Sequence, residues 1–246
     1  MKNQSISIVL ITILAGVCMS FTQIPFEQDT MQTSQGPLVF TFFGHGTLMC
    51  TFNKLVIQVD PVSEFADYSA LPKADLILVT HHHGDHLDPS AIEKLSQPGT
   101  EIILTETCAQ QLKKGIVLKN GDIKKIKGLT IEAVPAYNLV HKRDNGKPFH
   151  PKGEGNGYVI TCGDKKIYVG GDTENVPEMS GLQGIDIAFL PMNLPYTMTP
   201  EMVVQAVKAF KPKILYPYHY GETDVNQLLK LLKDFPGTEV RIRKLQ

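Results

Sequence analysis

Four of the eight histidines in this 246-residue chain fall within one heptapeptide, Thr80-His81-His82-His83-Gly84-Asp85-His86. Imidazole and carboxylate together suit zinc, manganese or iron. The spacing suits a shared ligand set. In extended backbone, side chains repeat every two residues, so His81 and His83 project to the same side. Gly84 permits a tight turn. Asp85 and His86 can then swing toward the same point from the other flank. A solvated polar loop or a tag-like histidine run is the plain alternative, but a tag sits at a terminus and has no strand before it.

Two elements must position this cluster. Upstream, Asp75-Leu76-Ile77-Leu78-Val79-Thr80 is apolar and β-branched and reads as a buried strand. Downstream, Asp88-Pro89 reads as an N-cap followed by proline at the first helical position, with a helix from about Ser90 to Leu95. Leu38–Phe43, Leu48–Phe52 and Leu55–Val59 read as strands, with turns at Gly44-His45-Gly46 and Asn53-Lys54. Pro61 cannot continue a ladder, so Asp60 lies at a strand end, where α/β sheets place chemistry. A β-rich block over 116–134 precedes an irregular stretch, Pro135–Asn156, of a length that usually carries function. Strands Gly157–Cys162 and Lys166–Val169 lead into Gly170-Gly171-Asp172-Thr173. A strand over Ile185–Leu190, a helix opening at Thr199-Pro200-Glu201, a strand Lys213–Tyr216 ending in Pro217-Tyr218-His219, and a helix carrying Val225, Leu228, Leu229 and Leu232 complete the pattern. Such blocks predict an α+β fold with two sheets packed face to face and helices outside.

Composition narrows the function. Apolar content of 42% and charged content of 20% are ordinary for a globular chain. The net charge of −1 offers no basic field for a nucleic-acid backbone, so no nucleic-acid partner is expected. Lys2, the apolar run Ile6–Val17 and Cys18-Met19-Ser20 have the three regions of a secretory signal peptide, too short for a comfortable membrane span. Residues 1–20 are therefore expected to be a cleaved signal, 21–36 a linker, and 37–246 one domain in the periplasm or cell envelope. Val17 stands where a lipoprotein signal has a small residue, so a membrane association is expected only if Cys18 is lipidated. Cys50, Cys108 and Cys162 are widely spaced and odd in number, which is no disulfide framework.

The pattern His81-x-His83-x-Asp85-His86 resembles the signature of the metallo-β-lactamase-fold hydrolases, whose fold is an αββα sandwich. Asp172, in Gly171-Asp172-Thr173, resembles that family's bridging carboxylate, and His219 its final histidine. Pro135-Ala136-Tyr137-Asn138, Phe149-His150-Pro151 and Pro217-Tyr218-His219 look closest to metal-dependent hydrolases near the ascorbate-phosphate lactonase group. Many members of the fold supply a third histidine soon after the strand ending near Val134. Here Tyr137-Asn138 occupies that place, and His141 and His150 lie further along the loop. His150, between Phe149 and Pro151, is the expected ligand. His141, beside Lys142-Arg143, is the alternative, because neighbouring positive charge disfavours a bound cation.

What the resemblance implies is a centre of two divalent ions, zinc first with manganese or iron as alternatives. They would be held about 3.5–4 Å apart by His81, His83, Asp85, His86, His150, Asp172 and His219. A metal-bound hydroxide would attack an ester, lactone or phosphodiester of a small-molecule substrate, with Asp85 a ligand that also shuttles a proton. His45 and Asp60-Pro61 resemble motifs of the lactonase-like and phosphodiesterase-like branches. His45 is expected to contact substrate, and Asp60 to accept a hydrogen bond from a ligand histidine. Tyr196 and Tyr218 are candidates for an oxyanion donor or a substrate wall. The competing functions are a non-catalytic metal- or ligand-binding envelope protein and a true β-lactamase.

Overall fold

A computed structural model describes residues 26–246. The expected signal peptide lies outside the described residues. Two seven-stranded sheets pack face to face. The first contains β1 (Glu27–Thr33), β2 (Gly36–Gly44), β3 (Thr47–Phe52), β4 (Leu55–Val59), β5 (Leu76–Leu78), β6 (Glu101–Leu104) and β7 (Ile116–Val117), side by side in chain order. The second contains β8 (Ile123–Ile126), β9 (Leu129–Ala136), β10 (Gly155–Cys162), β11 (Lys165–Val169), β12 (Ile187–Pro191), β13 (Ile214–Tyr218) and β14 (Glu239–Val240), again in chain order. Each sheet begins as an antiparallel meander and ends in parallel strands. The parallel crossovers carry the helices α1 (Pro89–Leu95) and α2 (Glu106–Leu112) in the first half and α3 (Pro200–Phe210) in the second, with α4 (Val225–Leu232) between β13 and β14.

The alternation within single strands explains the layers. Leu76 and Leu78 face the opposite sheet, joining Leu38, Phe40, Phe42, Ile131, Tyr158, Phe189 and Tyr216 in the central core. Ile77 and Val79 point the other way, onto Ala91, Ile92 and Leu95 of α1 and Cys108 of α2. A strand buried on both faces must be apolar throughout. On the far side, Val203, Val207 and Phe210 of α3 and Leu228 and Leu232 of α4 cover Ala188, Leu190 and Leu215. The result is helices, sheet, sheet, helices. Asp88 caps α1 by accepting from the backbone N–H of Ser90 (2.8 Å) and Ala91 (3.2 Å), as the Asp-Pro pair predicts. Cys50, Cys108 and Cys162 are buried and free.

One boundary is corrected. Residues 27–33, expected to be linker, form the edge strand β1, paired antiparallel with β2 from Glu27↔Phe42 to Thr33↔Gly36. The strand has no apolar face, so periodicity could not announce it. It is held by the ladder and by Asp29, whose carboxylate accepts from Arg243 at 2.7 and 2.8 Å and also meets Tyr216 and Arg241.

Candidate metal centre

Chemistry gathers beyond the C-terminal ends of the parallel strands and at the β2–β3 turn. The loop after β5 carries His81, His83, Asp85 and His86. Asp60 follows β4, Asp172 follows β11, His219 follows β13, and His150 comes from the loop between β9 and β10. This is where open sheets present ligands, because successive strand ends converge there.

Two groups of metal-ligand type form side by side. His81, His83, His150 and Asp172 make the first, and His45, Asp85, His86 and His219 the second, with the ligand atoms of each group within 4.8 Å of one another. Asp172 stands between them. Its Oδ2 lies 3.1 Å from His150 Nε2 and 3.8 Å from His81 Nε2, while its Oδ1 lies 3.3 Å from His86 Nε2 and 3.5 Å from His219 Nε2. One carboxylate therefore offers an oxygen to each group.

The histidines are aimed by partners on their other nitrogen. Asp60 accepts from His86 Nδ1 at 2.8 Å and from the Thr80 backbone N–H at 2.7 Å and its hydroxyl at 2.6 Å. His81 Nδ1 lies 3.0 Å from Thr80 Oγ1. Asn138 Oδ1 accepts from both His150 Nδ1 (2.7 Å) and the His150 backbone N–H (2.8 Å). With Nδ1 occupied, Nε2 is the atom turned inward, the arrangement that orients metal-ligating imidazoles. Sterics agree. A Cβ on Gly46 would stand 2.8 Å from His86 Cε1, and one on Gly171, at φ +63°, 2.9 Å from Asn156 O. His45, Asp60 and His219 all hold positive φ without being glycine, a backbone state that concentrates at functional sites.

The electrostatics suit a cation. Burial pushes His81 well below the usual imidazole range, and burial with the neighbouring imidazoles brings His83 down to about 4. Both present free lone pairs at neutral pH. Burial would raise the Asp172 carboxyl, but the imidazoles of His219, His86 and His150 hold it well below its usual value. Burial likewise opposes protonation of His86, yet Asp172 and Asp60 keep its pKa well above the ordinary range, so a cation entering there displaces a proton. Nε2 of His81, His86 and His219 and Oδ1 of Asp172 are buried without a hydrogen-bond partner. Each such atom costs about 1–3 kcal/mol when left unpaired. Three imidazole nitrogens and a carboxylate oxygen so left fit divalent cations, and the donor set of imidazole and carboxylate suits zinc, manganese or iron.

Every residue expected to bind metal lies in one of the two groups. His150 lies in the first group, beside His81 and His83. His141 does not approach the groups; its Nδ1 lies 2.7 Å from Glu174. Asp60 contacts His86 as expected. His45 sits inside the second group: its Nε2 is 3.2 Å from Asp85 Oδ2 and its ring centroid 3.5 Å from that of His219. Tyr218 is a correction. It is fully buried in the inter-sheet core, 6.1 Å from Phe189 between ring centroids, and cannot wall a cavity. A strand's alternation sends Tyr218 inward, with Tyr216. Tyr196 is 45% exposed and lines the mouth of the site, packed edge-on against Phe149 at 5.0 Å. The mouth is a cavity of about 420 Å³ floored by members of both groups.

Two supports were not foreseen. Glu174 is buried and accepts from the backbone N–H of Leu139, Val140 and His141 at 2.7 Å each and from Asn138 Nδ2 at 3.0 Å. It fixes the stretch that carries Asn138, and Asn138 fixes His150. Nothing local marks an acid two residues past Asp172 as a loop anchor; only the stretch it anchors, 36 residues earlier, explains it.

Comparison with known proteins gives the family. A family model described as a β-lactamase superfamily domain matches residues 39–219. The chain belongs to the metallo-β-lactamase superfamily, among its metal-dependent hydrolases. A UPF0173 metal-dependent hydrolase of Thermus thermophilus is 32% identical over 190 residues, 73% of this chain and 82% of that protein. A crystal structure assigned as a metal-dependent hydrolase of Parabacteroides distasonis matches with a TM-score of 0.86 and 52% identity, over 90% of this chain and all of that one. Igni18, a metallo hydrolase of Ignicoccus hospitalis, matches with a TM-score of 0.70 and 25% identity, over 84% of this chain and 94% of that one.

Proposed function

We propose that this metal-dependent hydrolase is an exported binuclear enzyme, similar to the lactonase-like branch, that cleaves an ester, lactone or phosphodiester bond of a small molecule. The observation that carries the binuclear reading is Asp172, whose two oxygens face different ligand groups. His81, His83, His150 and Asp172 would hold one ion, and Asp85, His86, His219 and Asp172 the other, with His45 beside Asp85. Two divalent ions in such a place acidify water to a pKa of about 7 and polarise the reacting oxygen.

The chain's own groups supply the rest. Asp85, 48% exposed at its side chain, is the carboxylate that faces the cavity, in contact with His45 and His219. Those contacts hold it far below the usual carboxylate range against the effect of burial. It is ionised at neutral pH, fit to hold a cation, and its place at the cavity, not its low pKa, makes it the candidate to relay a proton from the attacking water to the leaving oxygen. Phe149 and Tyr196 wall the cavity and exclude solvent from one side. Export rests on Lys2, the apolar run and the small residues after it.

The test is metal analysis of the purified chain, followed by a panel of 4-nitrophenyl esters, lactones and bis(4-nitrophenyl) phosphate. Two ions per chain and turnover of one class support the reading. One ion per chain overturns the binuclear part, and tight metal binding with no turnover overturns the catalytic part. Intact mass of the envelope fraction tests export; an unprocessed cytosolic chain overturns it.

A further inference from the structure

The metal groups account for the floor of the cavity but not for its rim. Arg143 lines that rim with Asn193 and Tyr196. It is one of only three arginines in a chain with 24 basic residues. The other two are engaged by acids: Arg241 by Glu239 and Asp29, and Arg243 by Asp29 and Glu27. Among the described residues, no acidic side chain pairs with Arg143. Its polar contact is a long one, 3.4 Å to the Phe149 carbonyl, and its guanidinium lies over the Phe149 ring at 5.1 Å.

The backbone around it is built as a small flap. Lys142 bridges Pro148, Arg143 N–H donates to Lys147 O at 2.8 Å, and Gly146 N–H donates to Arg143 O at 2.8 Å. Glu174 clamps the incoming side through 139–141, and His150, a member of the first metal group, begins the outgoing side. A guanidinium stacked on an aromatic face and free of carboxylates keeps its planar donor fork available for a bidentate oxyanion. Lysine could supply charge here but neither the fork nor the same stacking.

Resting on the hydrolase reading, we propose that Arg143 is a specificity-determining residue: it binds an oxyanion group, carboxylate or phosphate, carried by the substrate at a distance from the scissile bond. The scissile group then reaches the floor between Asp85 and His150 while the anionic group stays at the rim. The cavity of about 420 Å³ has room for both in one small molecule.

The test compares two esters with the same leaving group on the metal-loaded full chain, neutral 4-nitrophenyl acetate and anionic mono-4-nitrophenyl succinate. In Arg143→Gln the ratio of kcat/KM for the anionic over the neutral ester should fall about tenfold, through KM of the anionic ester. Arg143→Lys should recover part of it. Lys147→Gln, on the same flap but away from the cavity lining, should leave the ratio as it is. An unchanged ratio in Arg143→Gln, or an equal fall in Lys147→Gln, overturns the proposal. Direct titration separates this inference from the activity itself. Glutarate and propylphosphonate are titrated by calorimetry into wild-type and Arg143→Gln proteins with both sites metal-loaded, and at least one should bind about tenfold more weakly to the variant. Whichever anion shows the loss identifies the carboxylate or the phosphate source. Equal affinities, or no binding of either anion to the wild type, overturn the proposal. Absence of ester turnover alone counts against the hydrolytic reading only.

Discussion

The two halves of the molecule equip the same site in opposite ways. The first half delivers His81, His83, Asp85 and His86 from one loop after β5, steadied by one carboxylate, Asp60. The second half delivers His150, Asp172 and His219 from three separate loops, and those of His150 and His219 have supports of their own. Glu174 and Asn138 hold His150, and a backbone bond of 3.1 Å from His219 N–H to His45 O ties the β13 end to the β2–β3 turn. A contiguous set needs one local conformation. A dispersed set needs several long-range contacts to be right at once, so the second half should be easier to disturb at a distance and the first half harder.

Asp172 joins the halves, and its loss should have the largest effect. Asp172→Ala removes an oxygen from each group, and inductively coupled plasma analysis should find fewer than one ion per chain while circular dichroism stays native. Its cost in metal affinity should exceed the roughly 10–100-fold typical of losing a ligand's hydrogen-bond partner. One full ion retained would mean that the groups are independent.

Next should come the supports. Glu174→Gln leaves three backbone N–H groups with a weaker acceptor and is expected to loosen Asn138 and His150. Metal titration should show one affinity down roughly 10–100-fold, and urea unfolding should show a loss of about 1–3 kcal/mol. Asp60→Asn should weaken the second affinity through His86 and the first through Thr80 and His81, because the one loop it supports feeds both groups. Glu174→Gln weakening the second ion as much as the first would mean that its effect does not run through His150.

Acid should act less sharply. His81 and His83 have lowered pKa values, so below pH 6.5 the unfolded chain takes up protons that the folded chain refuses, for His83 down to about 4. Asp172 and Glu174 are depressed, so their stabilisation is present above the ordinary carboxylate range and is lost as pH falls through their folded values. His86, raised, works the other way: its contribution is complete below pH 6.5 and fades only as pH rises through its folded value. Chelated protein should therefore show a urea midpoint that falls from pH 7 to pH 4. A flat midpoint would mean that His81 and His83 take up protons in the folded chain as readily as in the unfolded one.

The smallest effect is expected at His45. His45→Ala should weaken the second ion by less than tenfold and leave the first unchanged, whereas His219→Ala should abolish the second. Equal losses would make His45 a full ligand.

This asymmetry also explains what could be read from the chain. The first half's motif was legible because its residues are adjacent and follow an apolar strand. Asp172 and His219 were legible only beside that motif, since a lone acid or histidine at a strand end has commoner uses. His150 could be preferred over His141 from its apolar neighbours. His45 was read as a substrate contact because a turn position says nothing of the His219 ring that packs against it across the site. Asn138, Glu174 and Arg143 carry no local pattern, and their roles exist only once a loop has folded back. The two sheets followed from apolar periodicity, which β1 lacks.

That last exception has a practical edge. A boundary drawn at residue 36 would remove β1 and bare the hydrogen-bonding edge of β2, behind which lie Leu38, Phe40 and Phe42. It would also strand the guanidinium of Arg243, whose partner Asp29 is 214 residues away along the chain. An exposed, apolar strand edge recruits strands from other molecules. A chain started at residue 37 should sediment as aggregate where one started at residue 26 remains dispersed, so the inconspicuous edge strand acts as the molecule's guard against self-association.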